Sequence, residues 1–392
     1  MSATLEVRRV QLWALGIGAV AIIAAVVGAL FDPVQFCSAY LVAFLYYLSI
    51  AHGCFVVLMI YHLTGGGWGF LIRRPLEAGM ATLPLLALYF VVLAWGAGYL
   101  YPWAQPDEVA ARPALQQRAV YLNLAFFCVR AAIAFTVWLV LAYFLARWSR
   151  LQDETGDAVY ARQLELLSGP GLVVYGITIM FAAVDWLMSL QPAVHSSIIG
   201  PLFASGELLV GFASALLVFA WLTARLSRAA VAEEAVGDLG NLLFTFVILW
   251  AYMEYFQFML VWIANLPYEA IWYLPRTEGG WLWVSWGLAL VHFAVPFFLL
   301  LSRDLVRSPR ALAGLAVVIL VAHLVYLNQL VVPVFSAPGW LDVVMPFALG
   351  GPWLALYLWN LQQSPLLPRH DANEAAALHQ AEAPLSTEVS HG

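Results

Sequence analysis

The chain contains no lysine, so all 17 of its cations are arginine, and only 10% of its 392 residues are charged. A soluble domain carries about 25% charged and about 45–50% apolar residues. Here 64% are hydrophobic. No soluble fold has enough interior to hide that surface, which excludes a soluble globular enzyme and makes the lipid bilayer part of the solvent. No basic run exceeds two residues, so nucleic acid is excluded as a partner. Cysteine is scarce: Cys37, Cys54 and Cys128 lie singly in apolar segments, with no C-x-x-C, C-x-x-C-H or Cys/His cluster. The expectation is that the chain itself binds no metal, iron–sulfur cluster or c-type haem. A Walker A loop, a dinucleotide fingerprint and a G-x-S-x-G elbow are all missing. Before the tail, no hydrophilic segment is long enough to be a catalytic domain.

What is abundant is apolar sequence. A spanning helix needs about 20 mostly apolar residues. Ten segments qualify, at 11–30, 37–63, 78–100, 121–147, 168–190, 197–224, 238–264, 281–301, 311–333 and 341–361. They lack strict alternation, which favours helices over barrel strands. Turn formers such as Asp32-Pro33, Gly65-Gly66-Gly67 and Ser308-Pro309 separate them. The 17 Trp, 17 Tyr and 23 Phe suit aromatic belts at two interfaces. The expected fold is an all-α polytopic membrane protein, with residues 1–363 as the membrane domain and 364–392 as a disordered cytoplasmic tail rich in Glu, Ala and Ser. The first apolar segment follows Arg8-Arg9 and is read as a retained helix, not a signal peptide. Arginine counting puts 13 on one side and three, Arg112, Arg118 and Arg276, on the other. That bias predicts both termini in the cytoplasm.

Ionisable residues at bilayer depth cost at least about 2.5–3.5 kcal/mol each and need partners. They are His52, Arg130, Asp185, Glu207, Glu254, His292 and His323. Arg130 stays charged and must meet an acid at its depth, Asp185 or Glu207, either as a structural pair or to tune a transporting carboxyl. Glu254 and Gln257 share a helical face, as a proton-passing pair or a protonated acid bonded to an amide. His292 and His323 lie at similar depth on consecutive helices. Interhelical hydrogen bonding, a proton relay and bis-His haem b ligation are the three readings of that pair.

Several motifs point further. They include His62 with Gly65-Gly66-Gly67-Trp68 and Arg73-Arg74, Tyr99-Leu100-Tyr101-Pro102-Trp103, Asn123 with Phe126-Phe127 and Arg130, and Ser168-Gly169-Pro170-Gly171. Asp185-Trp186, Trp250-Ala251-Tyr252, Asn265-Leu266-Pro267, Gly279-Gly280-Trp281 and His292-Phe293 continue the series. The set resembles the smaller ten-helix membrane subunit, often labelled quinone-binding subunit 2, of bacterial alternative complex III, a quinol:cytochrome c oxidoreductase. That subunit belongs to the polysulfide-reductase-type family of membrane anchors.

The resemblance implies two four-helix bundles flanked by two further helices, in a bacterial plasma (inner) membrane. It implies a larger sister quinone-binding subunit as partner, together with iron–sulfur and multihaem cytochrome c subunits. Quinol, clusters and c-type haems would sit on those partners, leaving this chain with no cofactor. The implied active role is a proton path, for which His52, Glu207, Glu254, His292 and His323 are available, with the Arg130 and Asp185 pair nearby. Two alternatives compete: a stand-alone proton-coupled secondary transporter, and a purely structural membrane anchor.

Overall fold

The computed structural model describes residues 3–223, 233–335, 338–365, 367–371 and 373. Among the described residues, ten helices are long and apolar enough to cross a membrane: α1 Glu6–Phe31, α2 Pro33–Thr64, α3 Gly67–Trp95, α4 Leu124–Thr155, α5 Ala158–Leu190, α6 Ile199–Trp221, α7 Glu233–Ala264, α8 Gly280–Leu300, α9 Pro309–Val334 and α10 Trp340–Gln362. Among the described residues there is no strand. This is an all-helical, multi-pass membrane protein.

The helix boundaries have local causes. Asp32 caps α2 by accepting from the Gln35 N–H, and Pro33 supplies the preset φ of a first turn. Asn123, Asp157 and Ser308 cap α4, α5 and α9 in the same way. Gly156 ends α4 in the left-handed region at φ 68°. Two such glycines, Gly65 and Gly66, make the whole turn between α2 and α3. Short turns make these neighbours antiparallel. One end of the molecule therefore carries the α2–α3, α4–α5 and α8–α9 turns, and the other carries residues 96–123 and 265–279.

The helix α3 starts earlier than hydropathy suggests, at Gly67, not near residue 78. Arg73, Arg74 and Glu77 are therefore not loop residues. They lie within the first turns of the helix and pair with one another (Arg73 Nε to Glu77 Oε1, 2.9 Å; Arg74 Nη1 to Glu77 Oε2, 2.6 Å). Charge neutralised inside the protein no longer obeys a hydropathy boundary.

The centre is formed by α2 and α6, the two most buried spans. They cross at Gly53 and Gly211, where a Cβ on either would run into the other backbone. Without a hydrophobic drive between helices in lipid, such close backbone contact supplies the packing. Around this pair, α3, α5, α9 and α10 contact α2, while α5, α7 and α9 contact α6. The N-terminal helix α1 packs mainly on α10, where Gly18 meets Gly351. A wide π-helical turn at Ala289–Ala294 interrupts α8. Pro296 explains it: proline cannot donate to the carbonyl of His292 four residues back, and its ring crowds that carbonyl.

The segment expected to be a disordered tail is docked at its start. Tyr61 OH donates to Asp371 Oδ2 (2.7 Å), Arg73 Nη1 to the same oxygen (2.6 Å), and the Gly66 N–H to Asn373 Oδ1 (3.0 Å). A buried guanidinium needing an acid outweighs the local composition. Residues 374–392 lie outside the described residues.

Candidate functional site

Two polar clusters lie at bilayer depth, back to back across α6. The first joins α2, α4, α5 and α6. His52 Nδ1 is 2.9 Å from Glu207 Oε1, and both side chains are fully buried. Tyr175 OH donates to the other carboxyl oxygen of Glu207. The Trp138 ring meets His52 edge-on at 4.2 Å between centroids and turns its own N–H to Thr178 Oγ1. The glycine crossing at Gly53 and Gly211 brings His52 within reach of Glu207. His52 Nε2 has no partner among the described residues.

The second cluster joins α7, α8 and α9. The His292 and His323 rings lie 5.6 Å apart, and Trp250 lies 3.9 Å from His292. Tyr326 packs on both imidazoles and donates to Glu254 Oε2 (2.7 Å). Both imidazoles are buried, yet all four of their ring nitrogens and the Trp250 N–H lack partners among the described residues. An unmet buried polar group costs about 1–3 kcal/mol. Protein interiors meet such groups with ordered water. Trp250, Tyr326 and the α6 backbone pack directly against the two rings, a packing that does not fit a haem plane between them. Among the described residues, no group of three or more His, Cys, Asp or Glu could hold a metal ion.

Gly206 is where the clusters meet. A Cβ at this position would lie 2.9 Å from His323 Cε1 and 3.6 Å from Trp250 Cδ1. The next residue, Glu207, reaches the other way to His52 and Tyr175. One turn of α6 therefore carries the wall of one cluster and the carboxyl of the other.

The remaining candidates are placed as follows. Arg130 grips Asp185 with two hydrogen bonds, Nε to Oδ2 at 2.7 Å and Nη2 to Oδ1 at 2.9 Å, and its guanidinium lies 3.9 Å over the Tyr121 ring. Glu207 is not its partner. Glu254 and Gln257 do not bond each other: the acid takes Tyr326, and the amide takes Ser196 Oγ at 2.5 Å. Glu254 is also only half-buried, because α7 keeps most of its surface facing outward.

The partners that sequence reasoning passed over are mostly aromatic hydroxyls, Tyr175 and Tyr326, and one loop cation. Arg276 is buried against Trp272 (3.6 Å to the ring) and donates to Leu330 O and Gln191 Oε1, with no acid in hydrogen-bond contact among the described residues. Burial pushes its guanidinium down to about 9, with Tyr273, Tyr326 and Glu254 opposing that fall. It remains charged at neutral pH. A tyrosine in an apolar helix is a signal in itself, since its hydroxyl needs a partner when buried. Compared with family models and with curated proteins, the chain finds no match.

Proposed function

We propose that this chain is the smaller membrane subunit of an alternative-complex-III-type quinol:cytochrome c oxidoreductase, and that it carries protons through its two buried clusters. Quinol oxidation, iron–sulfur clusters and c-type haems belong, in this reading, to a larger sister membrane subunit and to extramembrane partners. Both termini face the cytoplasm of a bacterial plasma membrane. The motifs from helix two to helix nine support the family. The two-bundle arrangement draws support from the grouping of polar residues: His52, Trp138 and Tyr175 come from α2, α4 and α5, while Trp250, His292 and His323 come from α7, α8 and α9. The extensive packing of α1 on α10 is in keeping with a flanking role for those two helices.

The observation that carries the proton reading is the pair of clusters back to back at Gly206, with the imidazole nitrogens of the second unpartnered among the described residues. A structural anchor gains nothing from buried donors and acceptors left unmet. A relay does, because water bound among them passes protons between His52–Glu207 and His292–His323, then to Tyr326 and Glu254. Purification in mild detergent tests the family: haem-containing partners should co-purify, and a chain that always purifies alone, without them, is a transporter or another kind of anchor. Glu207→Gln and Glu254→Gln keep shape and remove the titrating proton. If both assemble and protons move at the wild-type ratio per electron, the relay reading fails.

A further inference from the structure

We infer that a cleft between the first turns of α7 and the turn joining α8 to α9 binds the headgroup of a phospholipid that carries both a phosphate and a free ammonium, of the phosphatidylethanolamine type. The cleft measures about 490 Å³ and is lined by Glu234 and Asp238 on one wall and Arg303 and Arg307 on the other. Each pair has like charge at four-residue spacing, which repels. None of the four side chains makes an ion pair or hydrogen bond among the described residues, although all face one space.

Two acids and two arginines held apart leave a site that neither an anion nor a cation satisfies alone. A phosphate suits the arginines but meets repulsion from the carboxylates. A bare cation does the reverse. A zwitterion with its charges a few ångströms apart meets both walls, and a primary ammonium donates hydrogen bonds to carboxylates that a quaternary choline cannot. The depth is right for a lipid: α7 enters its apolar stretch just beyond Asn241, and α8 leaves it at Leu300. Below the cleft, Phe298, Leu299 and Leu301 present exposed apolar surface for acyl chains.

The floor of the cleft supplies a test that leaves charge alone. A Cβ at Gly237 would meet only Arg307 Cγ, at 3.8 Å, so Gly237→Leu projects into the space without a clash at its root. The full chain in detergent is mixed with phosphatidylethanolamine, phosphatidylglycerol or phosphatidylcholine of matched acyl chains, and retained lipid is counted by native mass spectrometry. Phosphatidylethanolamine should be retained in preference to the other two. Arg303→Gln with Arg307→Gln should weaken that retention at least about tenfold. Glu234→Gln with Asp238→Asn should remove the preference over phosphatidylglycerol, and Gly237→Leu should abolish retention with unfolding temperature unchanged. Equal retention of phosphatidylglycerol, or retention that Gly237→Leu leaves intact, would overturn the inference. Soluble phosphoethanolamine binding as tightly as the lipid would assign the cleft to a free phosphoamine instead.

Discussion

Arg73 and His323 are equally buried, at 1% exposure, and their surroundings differ in kind. Every nitrogen of the Arg73 guanidinium donates a hydrogen bond: Glu77 and Asp371 supply carboxylates, and Ser149 and Gln152 accept from Nη2 at 2.9 Å each. Beside it, Arg74 pairs with Glu77 and Asp153. Around His323 the protein offers rings and a glycine backbone, and both imidazole nitrogens go unmet among the described residues. The first region spends its polar groups on holding α2, α3, α4 and the start of the tail together. The second holds its imidazoles at bilayer depth without such partners among the described residues. Buried polarity of the first kind ties helices together, and buried polarity of the second kind does not.

The comparison can be broken most forcefully at Arg73. Removing one member of a buried ion network leaves uncompensated charge and costs about 3–5 kcal/mol. Arg73→Ala should accumulate poorly and unfold at markedly lower temperature in detergent. Arg130→Ala, which strands Asp185, should be next, and wild-type assembly of that variant would show that the pair is dispensable.

Asp371→Asn should be milder, because Glu77 still faces Arg73. Burial alone would raise the Asp371 carboxyl, but Arg73, the Asn373 N–H and Tyr61 more than offset it and hold the carboxyl below its ordinary 3.8. A depressed pKa in the folded state contributes stability that is complete above about pH 3.8 and is lost as pH falls below it. The wild type should lose unfolding temperature on acidification through that window more steeply than Asp371→Asn. Parallel acid profiles would mean that the tail contact does not stabilise the fold.

The smallest effects on stability should come from the second region. His292→Phe and His323→Phe remove unmet polar groups, so each should change stability by less than about 1.5 kcal/mol. A loss as large as that of Arg73→Ala would make the histidines structural and erase the distinction between the regions.

Much of this architecture was legible in the sequence. Ten apolar runs separated by Asp-Pro, Gly-Gly and Ser-Pro turns gave ten helices, because length and apolarity are what a bilayer demands. Legibility ended where polar groups cancel inside the protein. Arg73 and Arg74 read as a loop because hydropathy cannot see Asp371, nearly 300 residues away in the chain. His52 and Glu207 were each conspicuous, yet their contact spans 155 residues and depends on a crossing of two glycines. The Gln257 side chain shares a stripe with Glu254 but turns to Ser196, since helical spacing fixes neighbours on one helix and not those across it. Tyr175 and Tyr326 were hidden among 17 tyrosines, with nothing in the sequence to mark which hydroxyls meet an acid.

The relay is tested most directly by proton release measured outside proteoliposomes during quinol oxidation, with the assembled complex carrying either the wild-type chain or Glu207→Gln. The amide keeps the shape of the carboxyl and the contact with Tyr175, but it cannot exchange a proton with His52. Electron transfer should continue while fewer protons appear per electron. An unchanged proton ratio in a complex with full subunit content would contradict the relay and leave the buried clusters as packing.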